Sequence, residues 1–219
     1  MTKQRNLSEI ELLEQYRIAF ENVLSQAEIA RVMAEFGYDA ETIAIGKLKY
    51  EQCRAIYDFN KREDQETSDA YEVFETKRDK LIENYRLHRK KAKIIFRKEA
   101  GLLLKLQLHG NIPNSYLKFI EMMKVFYTAL LEDESLQMAV AALNMGVEEL
   151  TAARSMIGEV ESARVSYLRE EGESQDATKQ KDASFNKIDD WMHDFYAVAR
   201  IALEENPQLL EALGLFVRS

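Results

Sequence analysis

The chain has 219 residues, 46% hydrophobic and 31% charged, with a net charge of -8, and its mean hydropathy of -0.39 fits a substantial core under a heavily charged surface. Eight Gly and two Pro are few for this length, and abundant Ala, Leu, Glu, Lys and Arg predict an all-α fold of long helices and short turns. No segment approaches the ~20 apolar residues of a bilayer span. The polar stretch Met1 to Glu11 lacks a signal-peptide core, and a lone Cys53 leaves no internal disulfide, so a cytoplasmic protein with no membrane partner is expected.

Displaced by 107 residues, the chain matches its own apolar pattern: Leu13, Phe20, Val23 and Ile29 meet Ile120, Tyr127, Leu130 and Leu136, and Ala92, Leu102 and Leu106 meet Ala199, Leu209 and Leu213. The first helix opens at a Ser8–Glu11 capping box, and its copy opens at Asn114 or Ser115 after Pro113. Leu13, Tyr16, Phe20, Val23, Ala27, Ala30 and Ala34 form one stripe. Ser25 with Glu28, and Asp133 in the second copy, either cap a break in this helix or sit on an unbroken one. A glycine turn follows in each copy, at Gly37 and at Gly146.

The second helix carries Ile43, Gly46, Tyr50, Cys53 and Tyr57 on its seam, with Val160 in the place of Cys53, which predicts a buried, inert thiol. The polar stretches Asn60 to Asp69 and Glu170 to Asp182 read as loops at the far end of a helical hairpin; one long helix over 40–98 is the alternative. A third helix from about Asp69 to Lys98 carries Tyr71, Phe74, Arg78, Leu81, Tyr85, His88, Ala92 and Ile95 on its seam. In the terminal helix Asn206 caps, Pro207 takes the first helical position and Gly214 ends it. The expected architecture is two tandem three-helix repeats, 1–110 and 111–219, each with a short terminal docking helix, fused into one elongated bundle.

The run from Ala199 to Gly214, Ala-Arg-Ile-Ala-Leu-Glu-Glu-Asn-Pro-Gln-Leu-Leu-Glu-Ala-Leu-Gly, with Val217, Arg218 and Ser219 after it and the Phe36-Gly37-Tyr38 turn upstream, resembles a family of uncharacterised bacterial all-helical proteins. The resemblance implies an all-helical fold and no activity.

Helix bundles hold di-metal sites through Glu-x-x-His pairs, and the sequence has none. The single Asp190-x-x-His193 lies off the seam and reads as a solvated face. Phosphate loops, nucleophile elbows and paired cysteines are likewise missing, so neither a cofactor, a metal nor a catalytic residue is assigned. His88 stands where the second copy has Phe195, and Arg78 where it has Phe185, so these two mark a polar spot in the bundle. His88 is expected to be a satisfied structural histidine beside a tyrosine.

The strongest polar signal is Arg86, Arg89, Lys90, Lys91, Lys93, Arg97 and Lys98 within thirteen residues. Residues 1–107 hold 20 Lys+Arg and 19 Asp+Glu, whereas 108–219 hold 10 and 19. The favoured reading pairs the basic face with the acidic second copy, within one chain or across a homo-oligomer. The function expected is a non-catalytic helical scaffold or protein-interaction protein. The first alternative is binding of nucleic acid or another anionic partner through the basic helix 86–98. A third is a small-molecule site inside the bundle, if His88 and Arg78 face a cavity.

Overall fold

The computed structural model describes residues 7–215, which form eight helices and, among the described residues, no strand. They are α1 (Glu9–Ser25), α2 (Ala27–Glu35), α3 (Ala40–Ile95), α4 (Ala100–Lys105), α5 (Tyr116–Leu131), α6 (Glu134–Ala141), α7 (Val147–Ala202) and α8 (Leu209–Ala212). The order medium, short, long, short occurs twice, and α5 starts at Tyr116, 107 residues after α1 starts at Glu9. The left-handed residues recur at the same spacing: Gly37 (φ 87°) with Asn144 (φ 52°), and Gln107 (φ 51°) with Gly214 (φ 78°). Asn144, rather than Gly146, therefore turns the chain in the second half; asparagine is the side chain that best tolerates this region after glycine.

The hairpins expected at Asn60–Asp69 and Glu170–Asp182 do not form. Both stretches lie inside the 56-residue helices α3 and α7. Neither contains proline, and Gly172 alone costs about 1 kcal/mol in a helix interior, too little to break a helix held by side-chain partners. Asn60 is buried and donates to the Thr178 hydroxyl at 3.1 Å. Thr67 donates to the Glu170 carbonyl at 3.0 Å.

Two compact units result: residues 1–64 with 173–219, and residues 65–172. The division into 1–110 and 111–219 is one of sequence, and the compact units each draw on both halves of it. In the first unit Leu13, Phe20, Ile29, Met33 and Cys53 pack with Ile188, Met192, Phe195 and Leu213. In the second, Leu81, Tyr85, Ala92 and Leu106 pack with Phe126, Tyr127, Val140, Leu150 and Ile157. Both cores are nearly dry layers of aliphatic and aromatic side chains, each worth roughly 1.5–3 kcal/mol on burial.

Local signals decide the short elements. The amide and hydroxyl of Ser8 both donate to Glu11 Oε2, at 2.8 and 2.7 Å, closing the capping box. The first helix does break, with Gln26 rather than Ser25 at the junction. In the second copy Asp133 caps α6, accepting from the amides of Ser135 and Leu136. The break turns α2, so Ile29 and Met33 are buried whereas Ala27 and Ala34, on the extrapolated stripe, are exposed. At the far end α8 begins at Leu209, after a turn at Pro207 and Gln208, so Asn206 and Pro207 do not start it as expected. It docks on α1: Gln15 donates to the Gly214 carbonyl at 2.8 Å and Asn22 to that of Ala212 at 2.6 Å.

Candidate functional site

The polar spot resolves into two unrelated places in the second unit. His88 is buried, its Nδ1 3.0 Å from the Tyr127 hydroxyl and its Nε2 2.8 Å from Glu149 Oε1. At the matching positions of the first unit stand Phe20 and Phe195, so one aromatic pair has become a hydrogen-bonded one. Burial pushes the Tyr127 hydroxyl well above the ordinary phenol range, with Tyr85 and Glu149 adding to it. A ring with both nitrogens engaged is the satisfied structural histidine that the sequence suggests. Arg78 binds Glu75 and Asp79 on its own helix and lies over the Phe74 ring. It shares no partner with His88.

Cys53 is buried against Tyr16, Ser184 and the Asp189 side, and burial is the chief cause that raises its thiol above the ordinary range. Tyr16 donates to Asp189 Oδ1 at 2.9 Å. Desolvation raises the Asp189 carboxyl, and the Tyr16 hydrogen bond opposes that rise.

The basic cluster divides by role. Tyr85, Arg89, Ala92 and Phe96 step by four, three and four, which places Arg89 on the buried stripe. Its Nη2 donates to the carbonyls of Leu108, His109 and Gly110 at 3.1, 3.1 and 2.9 Å, so this guanidinium ties the chain after α4 to α3. Lys91 donates to the Asn144 carbonyl at 3.1 Å and Arg97 to that of Ile94 at 3.0 Å. Arg86, Lys90, Lys93 and Lys98 are exposed and have no carboxylate partner among the described residues. The pairing of the basic face with the acidic half inside one chain is thus not found.

Arg86, Arg89, Lys90, Lys93 and Arg97 surround a groove of about 450 Å³ floored by Ile94 and Ile112. Residues 84–98 contain no Asp or Glu. Lys93 titrates below the ordinary lysine range, through desolvation first and the charge of Arg89 second. Like charge without compensation favours arrival of an anion, and the aliphatic floor suits a ligand with apolar surface beside its charge. Sequence reasoning found these cations but missed Ile112, which comes from the segment after α4, and the separate role of Arg89.

No protein family, curated protein or solved structure matches the chain. Of the carboxyl-terminal resemblance, Ala199 to Gly214 comprises the end of α7, a turn and α8, whereas Val217, Arg218 and Ser219 lie outside the described residues. Among the described residues no helix is long and apolar enough to cross a membrane.

Proposed function

We propose that the protein is a non-catalytic helical scaffold, working in the reducing cytoplasm, whose interaction surface for an anionic protein partner is the basic face of α3 and the turn after it. The observation that carries this reading is the set of exposed, uncompensated cations Arg86, Lys90, Lys93 and Lys98 around the Ile94–Ile112 floor. Interfaces combine an apolar centre with a polar rim, and this groove supplies both. Part of the same reading is that the chain arose by tandem duplication of a unit near residues 1–110, giving 111–219. The repeated helix order and the repeated left-handed residues support it.

Nucleic acid is the rival, favoured by cations spaced along one helix at 86, 90, 93 and 97. The groove's apolar residues are aliphatic, whereas single strands are held by aromatic stacking, and this weighs toward protein. The test is binding of fluorescent poly-glutamate and of duplex DNA to the full chain and to the Arg86→Glu, Lys90→Glu, Lys93→Glu variant. Poly-glutamate binding weakened about tenfold or more, at unchanged helicity, is expected, since tenfold is about 1.4 kcal/mol. Equal binding by both proteins would overturn the assignment. Tight duplex binding with a steep salt slope, about 0.9 per phosphate contact, would transfer the face to nucleic acid.

A further inference from the structure

The basic face of α3 has a counterpart of opposite sign 107 residues further on. Ile94 and Ile201 occupy matching positions and are both unusually exposed for isoleucine, at 50% and 62%. Around Ile94 stand Arg86, Lys90, Lys93 and Arg97; at the corresponding end of α7 stand Asp194, Glu204 and Glu205, with Arg200 the one cation in residues 191–205. Asp194, Glu204 and Glu205 are exposed and have no cationic partner among the described residues. Two faces with the same helical frame and the same exposed aliphatic centre have therefore diverged to opposite charge, and neither is neutralised.

We propose that the partner received by the basic face is a second copy of this chain, which presents its acidic α7 end. This rests on the reading of 86–98 as an interaction surface and names its occupant. Like faces repel, so contact between two basic faces or two acidic faces is disfavoured, and the plus-to-minus contact is selected. Such a contact is heterologous: each chain offers one face of either sign. The apolar contribution comes from Ile94 against Ile201, and the charges set orientation and partner choice. The excess of acid in the second half, 19 Asp+Glu against 10 Lys+Arg, then has a use that a solitary chain lacks.

The test is sedimentation velocity of the full chain up to about 100 μM, a concentration that populates even a micromolar contact, at low salt and at about 1 M salt, where the Debye length falls to ~3 Å. Self-association at low salt that reverts at high salt is expected. The Lys90→Glu, Lys93→Glu variant and the Glu204→Lys, Glu205→Lys variant should each be monomeric alone and should associate when mixed, because each keeps one native face and the reversed faces also match. Ile201→Ser should weaken the wild-type contact and leave its salt dependence in place; circular dichroism establishes that each variant is folded. A wild-type chain that stays monomeric throughout, or single variants that self-associate as wild type does, would overturn the proposal. If the chain is monomeric yet its basic face still governs poly-glutamate binding, the second copy is refuted as occupant and the interaction surface itself stands.

Discussion

Replacing Gly46 by alanine should destabilise the first unit, although the same change in most helix interiors stabilises. A Cβ at Gly46 would lie 2.6 Å from Trp191 Cε2 and nearer still to Cζ2 and Cη2. The indole would have to retreat by about 1 Å to reach ordinary van der Waals contact. It is not free to do so: Phe20 and Phe195 stack on it at 5.3 and 5.4 Å between centroids, and Tyr38 meets it edge-on at 5.6 Å. Such aromatic pairs contribute about 0.5–1.5 kcal/mol each, and overpacking a filled core costs about 1–3 kcal/mol. Against this stands a gain of at most about 1 kcal/mol from alanine's helix propensity. The net loss of about 1–2 kcal/mol corresponds to a Tm lowered by roughly 2–8 °C in a chain of this size. Gly158, also inside a long helix, has nothing within 4 Å of its own Cβ position. Gly158→Ala should therefore raise Tm by up to roughly 4 °C. Thermal unfolding by circular dichroism reads both, and the emission of Trp191, the only tryptophan, reports on the displaced ring. A Gly46→Ala protein as stable as the Gly158→Ala protein, with unchanged emission, would refute the packing argument.

Tyr127→Phe should destabilise the second unit by about 1–3 kcal/mol by stranding His88 Nδ1, and His88→Phe added to it should recover part of that loss by recreating the apolar pair of the first unit; a double-mutant cycle by urea unfolding measures the coupling. Asp133 is held below the usual carboxylate range by the Ser135 hydroxyl first and then the Leu136 amide. Its cap thus favours folding above the unfolded pKa of about 4 and is lost as pH falls through the lower folded value, so Asp133→Ala should flatten the acid limb of a stability–pH curve. Asp189 has the opposite sign: its folded pKa is raised by burial, so its contribution is present below about pH 4 and lost as pH rises through the folded value. Asp189→Asn should remove that decline, read by the same titration. Cys53 should label with a thiol reagent far more slowly in the native protein than in denaturant, since it is fully buried.

Helix content and the buried positions were legible because periodic apolar spacing is imposed wherever a helix meets a core: Phe20, Cys53, Leu81 and Leu213 all lie where the pattern places them. The length of α3 and α7 was harder to read. Asn60, Asp64 and Thr67 look like loop residues, yet they take partners on α7, at Thr178, Ser174 and Glu170, and a side chain's distant partner leaves no local trace. Which halves of which copy pack together was illegible for the same reason, since both cores draw on matching positions of one repeat. At the basic face the cations were plain in sequence. Their division into the structural Arg89 and the free Lys90 and Lys93 followed from a three-residue difference in helical phase, which the charge count conceals.

The face itself is tested most directly by lysine acylation footprinting with mass-spectrometric readout, comparing the full chain alone with the chain saturated by poly-glutamate. Lys90, Lys93 and Lys98 should become protected, whereas exposed Lys118 and Lys179, outside the basic face, keep their rates. Uniform protection of all lysines, or protection that spares Lys90 and Lys93, would contradict the account.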